Sequence, residues 1–155
     1  KSVQLLEMYQ NAITEEAKSV VSEVLPDIHI ATGINNWKGY YKAIHLMPGC
    51  WGQGKTGITL VYRPSEDGRD EAEFYVYGWI HSDDYPEVNA LKEEIRVALS
   101  AGDFIPTASP EDYKVSITGK GKVLELSFWG NTRSKKDALV LLKDMTKWMD
   151  SKIRT

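Results

Sequence analysis

The sequence predicts an α+β fold, a two-layer arrangement in which one antiparallel sheet of about five strands (a meander plus a hairpin) is covered by three helices. Three observations lead there. Strand-like runs cluster between positions 29 and 81 and again between 113 and 128, rather than alternating strictly with helices as a parallel sheet requires. The connections between consecutive runs are short, which suits antiparallel neighbours. Three helical segments each carry one apolar stripe, so each has one face to bury.

The first segment repeats Leu5/Leu6, Tyr9, Ile13, Ala17, Val20 and Val24 at helical spacing, with Glu7, Glu15, Glu16, Lys18 and Glu23 mostly off the stripe. Pro26 ends it. His29–Thr32 reads as a short strand, Asn35-Asn36 as a turn, and Tyr40–Leu46 as a second strand. Gly57–Tyr62 is β-branched and aromatic and is soon stopped by Pro64, so it reads as a third. Pro64–Asp70 is a polar turn. Glu71–His81 is the longest strand, opening with Ala72, Phe74 and Val76 on one face and Glu71, Glu73 and Tyr75 on the other.

A second helix is expected from Asp84-Tyr85-Pro86-Glu87, where Asp84 and Glu87 have capping-box spacing. Val88, Leu91, Ile95 and Leu99 form its stripe, and Gly102 is placed to stop it. Phe104–Asp112 reads as a loop. Tyr113–Ile117 and Val123–Phe128 flank Thr118-Gly119-Lys120-Gly121-Lys122, a hairpin signature. The last helix has Ser134 as its cap with Asp137 three residues on, and a stripe of Ala138, Leu141/Leu142, Met145, Trp148/Met149 and Ile153.

The 155 residues suit a single domain spanning 1–155. The chain starts at Lys1 rather than Met, which reads as a processed product or a fragment of a longer protein. Hydrophobic residues make up 42% and charged residues 26%, the balance of an ordinary soluble globular chain and not of a disordered one. Neither an apolar run near 20 residues nor a signal peptide is visible, so a cytoplasmic setting without a membrane is expected. The single cysteine, Cys50, excludes an internal disulfide and a cysteine-built zinc cage.

Net charge is −3 but unevenly placed. Lys114–Thr155 holds ten Lys/Arg against four Asp/Glu, and the rest holds nine against eighteen. Such asymmetry can mark a nucleic-acid surface. Here Lys120 and Lys122 fall at the hairpin tip, while Arg133, Lys135 and Lys136 open the last helix, at the far end of a strand about 20 Å long. The clusters are therefore separated, and nucleic acid is not the favoured partner.

One named motif is present. Gly49-Cys50-Trp51-Gly52-Gln53-Gly54-Lys55-Thr56 matches the phosphate-loop pattern G-x-x-x-x-G-K-[ST], with Gly49, Gly52, Gly54, Lys55 and Thr56 as candidate nucleotide-binding residues. That loop works because a helix follows it and aims its first N–H groups at the phosphates. A strand is expected after Thr56, so the segment reads as a glycine-rich link between strands. His29, His45 and His81 sit one per strand-like segment without metal-ligand spacing, and each reads as structural or surface. Asp112-Tyr113-Lys114 is half of a metal-dependent nuclease signature whose upstream carboxylate is missing. No G-x-S-x-G occurs.

Aromatic residues in or beside strands supply a candidate binding surface: Trp37, Trp51, Tyr75, Tyr77, Trp79 and Trp129. An open sheet face bearing such side chains could hold a partner segment or stack bases. The rhythm of Gly57–Tyr62, a polar turn, Phe74–Ile80 and a capped helix resembles accessory domains that follow nuclease domains in some bacterial proteins. It covers about half the chain and assigns no residue a role. The function expected is a non-catalytic interaction or sensing domain, without cofactor or metal, working with a protein partner or other domains of a longer chain. The enzyme alternatives are nucleotide hydrolysis at Gly49–Thr56 and a nuclease, or nuclease-associated, role near Asp112 and Lys114.

Overall fold

A computed structural model describes residues 2–35, 41–52, 54–63, 73–103, 113–120, 123–132 and 134–153. The elements are α1 (Ser2–Ser22), β1 (Ile28–Asn35), β2 (Tyr41–Pro48), β3 (Gly57–Tyr62), β4 (Phe74–His81), α2 (Val88–Ser100), β5 (Tyr113–Lys120), β6 (Val123–Thr132) and α3 (Lys135–Ile153). The chain is α+β, as its strand clustering predicts. The expected antiparallel sheet of about five strands is present with six, in the order β1-β2-β3-β4-β6-β5, and every neighbouring pair is antiparallel. The short strand read at His29–Thr32 extends to eight residues because all of Ile28–Asn35 pairs with β2. β5 and β6 pair up to Lys120 and Val123, so only two residues separate the hairpin strands, not the five expected from glycine content.

The helices cover one face of the sheet. Alternate residues Ile44 and Leu46 on β2, Ile58, Leu60 and Tyr62 on β3, and Phe74, Val76 and Ile80 on β4 enter one continuous core. From above, α1 contributes Ile13, Ala17 and Val21, α2 contributes Val88 and Ile95, and α3 contributes Ala138, Leu141, Leu142, Met145 and Met149. The α1 stripe runs through Val21 rather than Val20, because its buried residues recur every four positions from Tyr9.

Helix ends explain the element lengths. Ser134 Oγ accepts the Asp137 N–H at 3.0 Å, the cap read from sequence. Gly102 ends α2 with φ +75°, and the Asp103 N–H donates to Ala98 O at 2.9 Å, the six-to-one bond of a Schellman cap. The start of α2 departs from expectation. The helix begins at Val88, and Asp84 lies in a turn in which the Asp84 and Tyr85 N–H groups donate to His81 O. Its carboxylate accepts a hydrogen bond from the Thr56 hydroxyl.

Truncation of Ile95 or Leu142 to alanine, both fully buried, should lower stability by about 2–5 kcal/mol. Urea unfolding measures this, and losses near zero would place those side chains outside the core.

Candidate functional site

The face of the sheet away from the helices is built from the other set of alternating residues. Tyr41, Ala43, Val61 and Tyr75 form a small second cluster there, with Tyr77 packed against it. Tyr41 and Tyr75 meet edge to face, ring centroids 5.8 Å apart. Both phenols donate to Glu73 Oε2. Burial, reinforced by the Glu73 carboxylate, holds the Tyr41 phenol well above the ordinary tyrosine range.

Beyond this cluster the face opens into a cleft of about 330 Å³ lined by Ala31, His45, Met47, Gly54, Tyr77 and Trp79. Its polar centre is Thr59, which is fully buried. Register places Thr59 between His45 on β2 and Tyr77 on β4. The Trp79 indole N–H donates to Thr59 Oγ1 at 2.8 Å, and His45 Nδ1 lies 2.8 Å from the same oxygen. The His45 and Trp79 rings meet at 88° with centroids 6.2 Å apart. Gly57 makes the Trp79 position available: a Cβ there would fall 2.5 Å from Leu46 O and 3.0 Å from Trp79 Cζ2. A second hollow of about 370 Å³, lined by Asp27, His29, Pro48, Gly49 and Gly52, adjoins the cleft through Met47 and Gly54.

The phosphate-loop-like segment links β2 to β3 and forms one rim of the cleft. Gly49–Trp51 is a single 3-10 turn. Trp51 is no surface residue: it is 0% exposed, packs in the core under the helices, and donates its indole N–H to Asp150 Oδ1 at 2.9 Å. Gly52 turns at φ +118°, where any side chain would run into the Asp84 carboxylate. Lys55 pairs with Asp83, and the Thr56 hydroxyl donates to Asp84 Oδ2 at 2.8 Å while accepting the His81 N–H at 3.2 Å. The residues that a phosphate loop would turn toward phosphate and magnesium thus face two carboxylates. The element after Thr56 is β3, so the helix that would follow a phosphate loop and aim its first-turn N–H groups at the phosphates is replaced by a strand.

The other candidates fall as follows. Tyr75 is buried at 3% exposure, whereas Tyr77 and Trp79 are half-buried and line the cleft. Trp129 lies opposite Tyr77 in the register of β4 and β6. Trp37, Lys122, Arg133 and Asp112 lie outside the described residues. Lys114 sits opposite Trp129 on β5, and Lys120 ends that strand. Lys135 pairs with Glu16 of α1 at 3.2 Å and Lys143 with Glu23 at 2.7 Å, so part of the basic excess of α3 meets the acidic face of α1. The Lys143 ammonium holds the Glu23 carboxyl below its ordinary value. Among the described residues, no three His, Cys, Asp or Glu side chains gather to hold a metal, and no helix is long and apolar enough to cross a membrane. No family model, curated protein or solved structure matches the chain.

Sequence reasoning read His45 as a structural or surface histidine and missed Ala31, Met47, Gly57 and Thr59. The available signal was alternation: Gly57, Thr59 and Val61 share one face of β3, and a threonine there needs a polar partner across the strand.

Burial alone lowers the affinity of His45 for a proton below its ordinary value of 6.5. The unfolded chain therefore binds the extra proton first as pH falls. The stability contributed by neutral His45 is complete above 6.5 and is lost as pH drops through the lower folded value. Between about pH 7 and about pH 5, His45→Gln should lose less stability than the unaltered chain in denaturant titrations. Equal losses would show that His45 titrates as if exposed.

The pairing of Lys55 and Thr56 gives a second expectation. Mg–ATP or Mg–GTP should leave the melting temperature unchanged, and an upward shift abolished by Lys55→Ala would show that the loop opens to hold a nucleotide.

Proposed function

We propose that this chain is a non-catalytic ligand-sensing or accessory domain whose binding site is the cleft on the helix-free face of the sheet. The observation that carries this reading is the concave surface of Ala31, His45, Met47, Gly54, Tyr77 and Trp79, in which a mostly apolar lining surrounds one polar centre. That is the usual composition of a small-molecule site, and about 330 Å³ lies at the small end of such sites. Its aromatic wall is pre-set, since Trp79 is fixed by Gly57 beneath it and by Thr59 beside it. A pre-ordered wall loses little entropy on binding.

A sensing role is supported by what the rim touches. Gly54 lines the cleft, and the next two residues, Lys55 and Thr56, bond to Asp83 and Asp84 in the turn before α2. An occupant that shifts the rim changes the contacts of that turn. The cytoplasmic setting and the protein partner expected from composition belong to the same proposal, with the partner reading the rim and the turn before α2.

Titration of isotope-labelled protein with one-ring fragments (indole, phenol, ethylbenzene) tests it. Amide shifts should cluster at Ala31, His45, Met47, Gly54, Tyr77 and Trp79 and disappear in Trp79→Ala. Fragments that perturb another surface, or none, would remove the cleft as the site.

A further inference from the structure

The hydrogen-bond chain beneath the cleft fixes where its protons lie. An indole N–H can only donate, so Trp79 gives its proton to Thr59 Oγ1. Thr59 then holds one hydroxyl proton in a fully buried site, and among the described residues the acceptor within reach is His45 Nδ1. If Nδ1 carried the proton, Thr59 would face two donors and its own hydroxyl proton would be stranded without a partner. Leaving a buried donor unmade is the more expensive arrangement. The order Trp79 N–H to Thr59 O–H to His45 Nδ1 satisfies all three groups. His45 is thereby the tautomer with its proton on Nε2, and that N–H is the donor the ring offers to the cleft it lines.

Among the described residues, the lining contains no Lys, Arg, Asp or Glu. A charged ligand entering it would lose its hydration without gaining a counter-charge. The Lys55 ammonium, next to Gly54 on the rim, is paired with Asp83. Resting on the cleft being the ligand site, we infer that it takes a neutral one-ring molecule, apolar over most of its surface, with a single carbonyl-type acceptor bonded by His45 Nε2–H. Thr59 acts as the positioning residue that sets this donor. Met47 and Trp79 supply the apolar and aromatic contacts.

The experiment has two independent readouts. Nitrogen-15 spectra of the His45 ring in the ligand-free protein should show the Nε2–H tautomer at neutral pH. Thr59→Ser should keep it and Thr59→Val should lose it. In parallel, acetophenone, ethylbenzene and benzoate are titrated against the full chain. Acetophenone should bind about tenfold more tightly than ethylbenzene, benzoate no more tightly than ethylbenzene, and His45→Phe should abolish the acetophenone preference. An Nδ1–H tautomer, equal affinity for acetophenone and ethylbenzene, or tightest binding of benzoate would each overturn the inference. Equal binding of the two neutral probes within the cleft would leave the site standing and remove only the ligand class. Failure of both probes to perturb the cleft would remove the site as well.

Discussion

The bond from the Trp51 indole to Asp150 governs how the rest of the sheet is finished. It joins the link between β2 and β3 to the last helix, 99 residues along the chain. A tryptophan sunk into a core must find an acceptor for its N–H. Meeting that requirement pulls the β2–β3 link under the helices and forces the chain to turn sharply back at Gly52. Gly54 then falls on the opposite side, at the rim of the cleft. Trp148 obeys the same rule: its N–H goes to Asp103 at 2.9 Å, and Lys152 joins the same carboxylate. These donors hold the Asp103 carboxyl below its ordinary value. Two indoles thus attach α3 to the strand link at one place and to the C-terminal cap of α2 at another.

The two faces of the sheet use different chemistry. Under the helices, aliphatic and aromatic side chains interdigitate, and the interaction is non-directional. On the other face, directional groups (Glu73 with Tyr41 and Tyr75, Thr59 with His45 and Trp79) hold aromatic rings at set angles. β3 is buried along its whole length because it is covered from both sides. The small residues Ala31 and Gly57 leave space beside the large Trp79 ring, so the cleft is a product of side-chain size alternation across neighbouring strands.

Much of this was legible in the chain. Period-two and period-3.6 patterns are local, so Gly57–Tyr62, the α3 stripe and the Ser134 cap could be read directly. Gly102 was legible because its position requires a left-handed backbone. The direction of Trp51 was not, since a loop has no period from which an inside can be inferred. Asp84 fits a helix cap by spacing, yet Thr56 bonds to it from 28 residues away. Thr59, His45 and Trp79 come from three strands, and only the register brings their polar atoms together. Charge asymmetry was visible, but the pairing of Glu16 with Lys135 and Glu23 with Lys143 depends on α1 lying beside α3.

The position of α3 makes closure of the core depend on a contact between segments far apart in sequence. α3 packs on the central strands β3 and β4 and on α1. Without α3 the apolar face of the sheet has only part of its roof, and α1 lacks the neighbour that completes its burial. Strands with an uncovered apolar face are the kind of surface that chaperones hold. Shielding of the sheet therefore waits on the meeting of α1 and α3, whichever of the other elements form early.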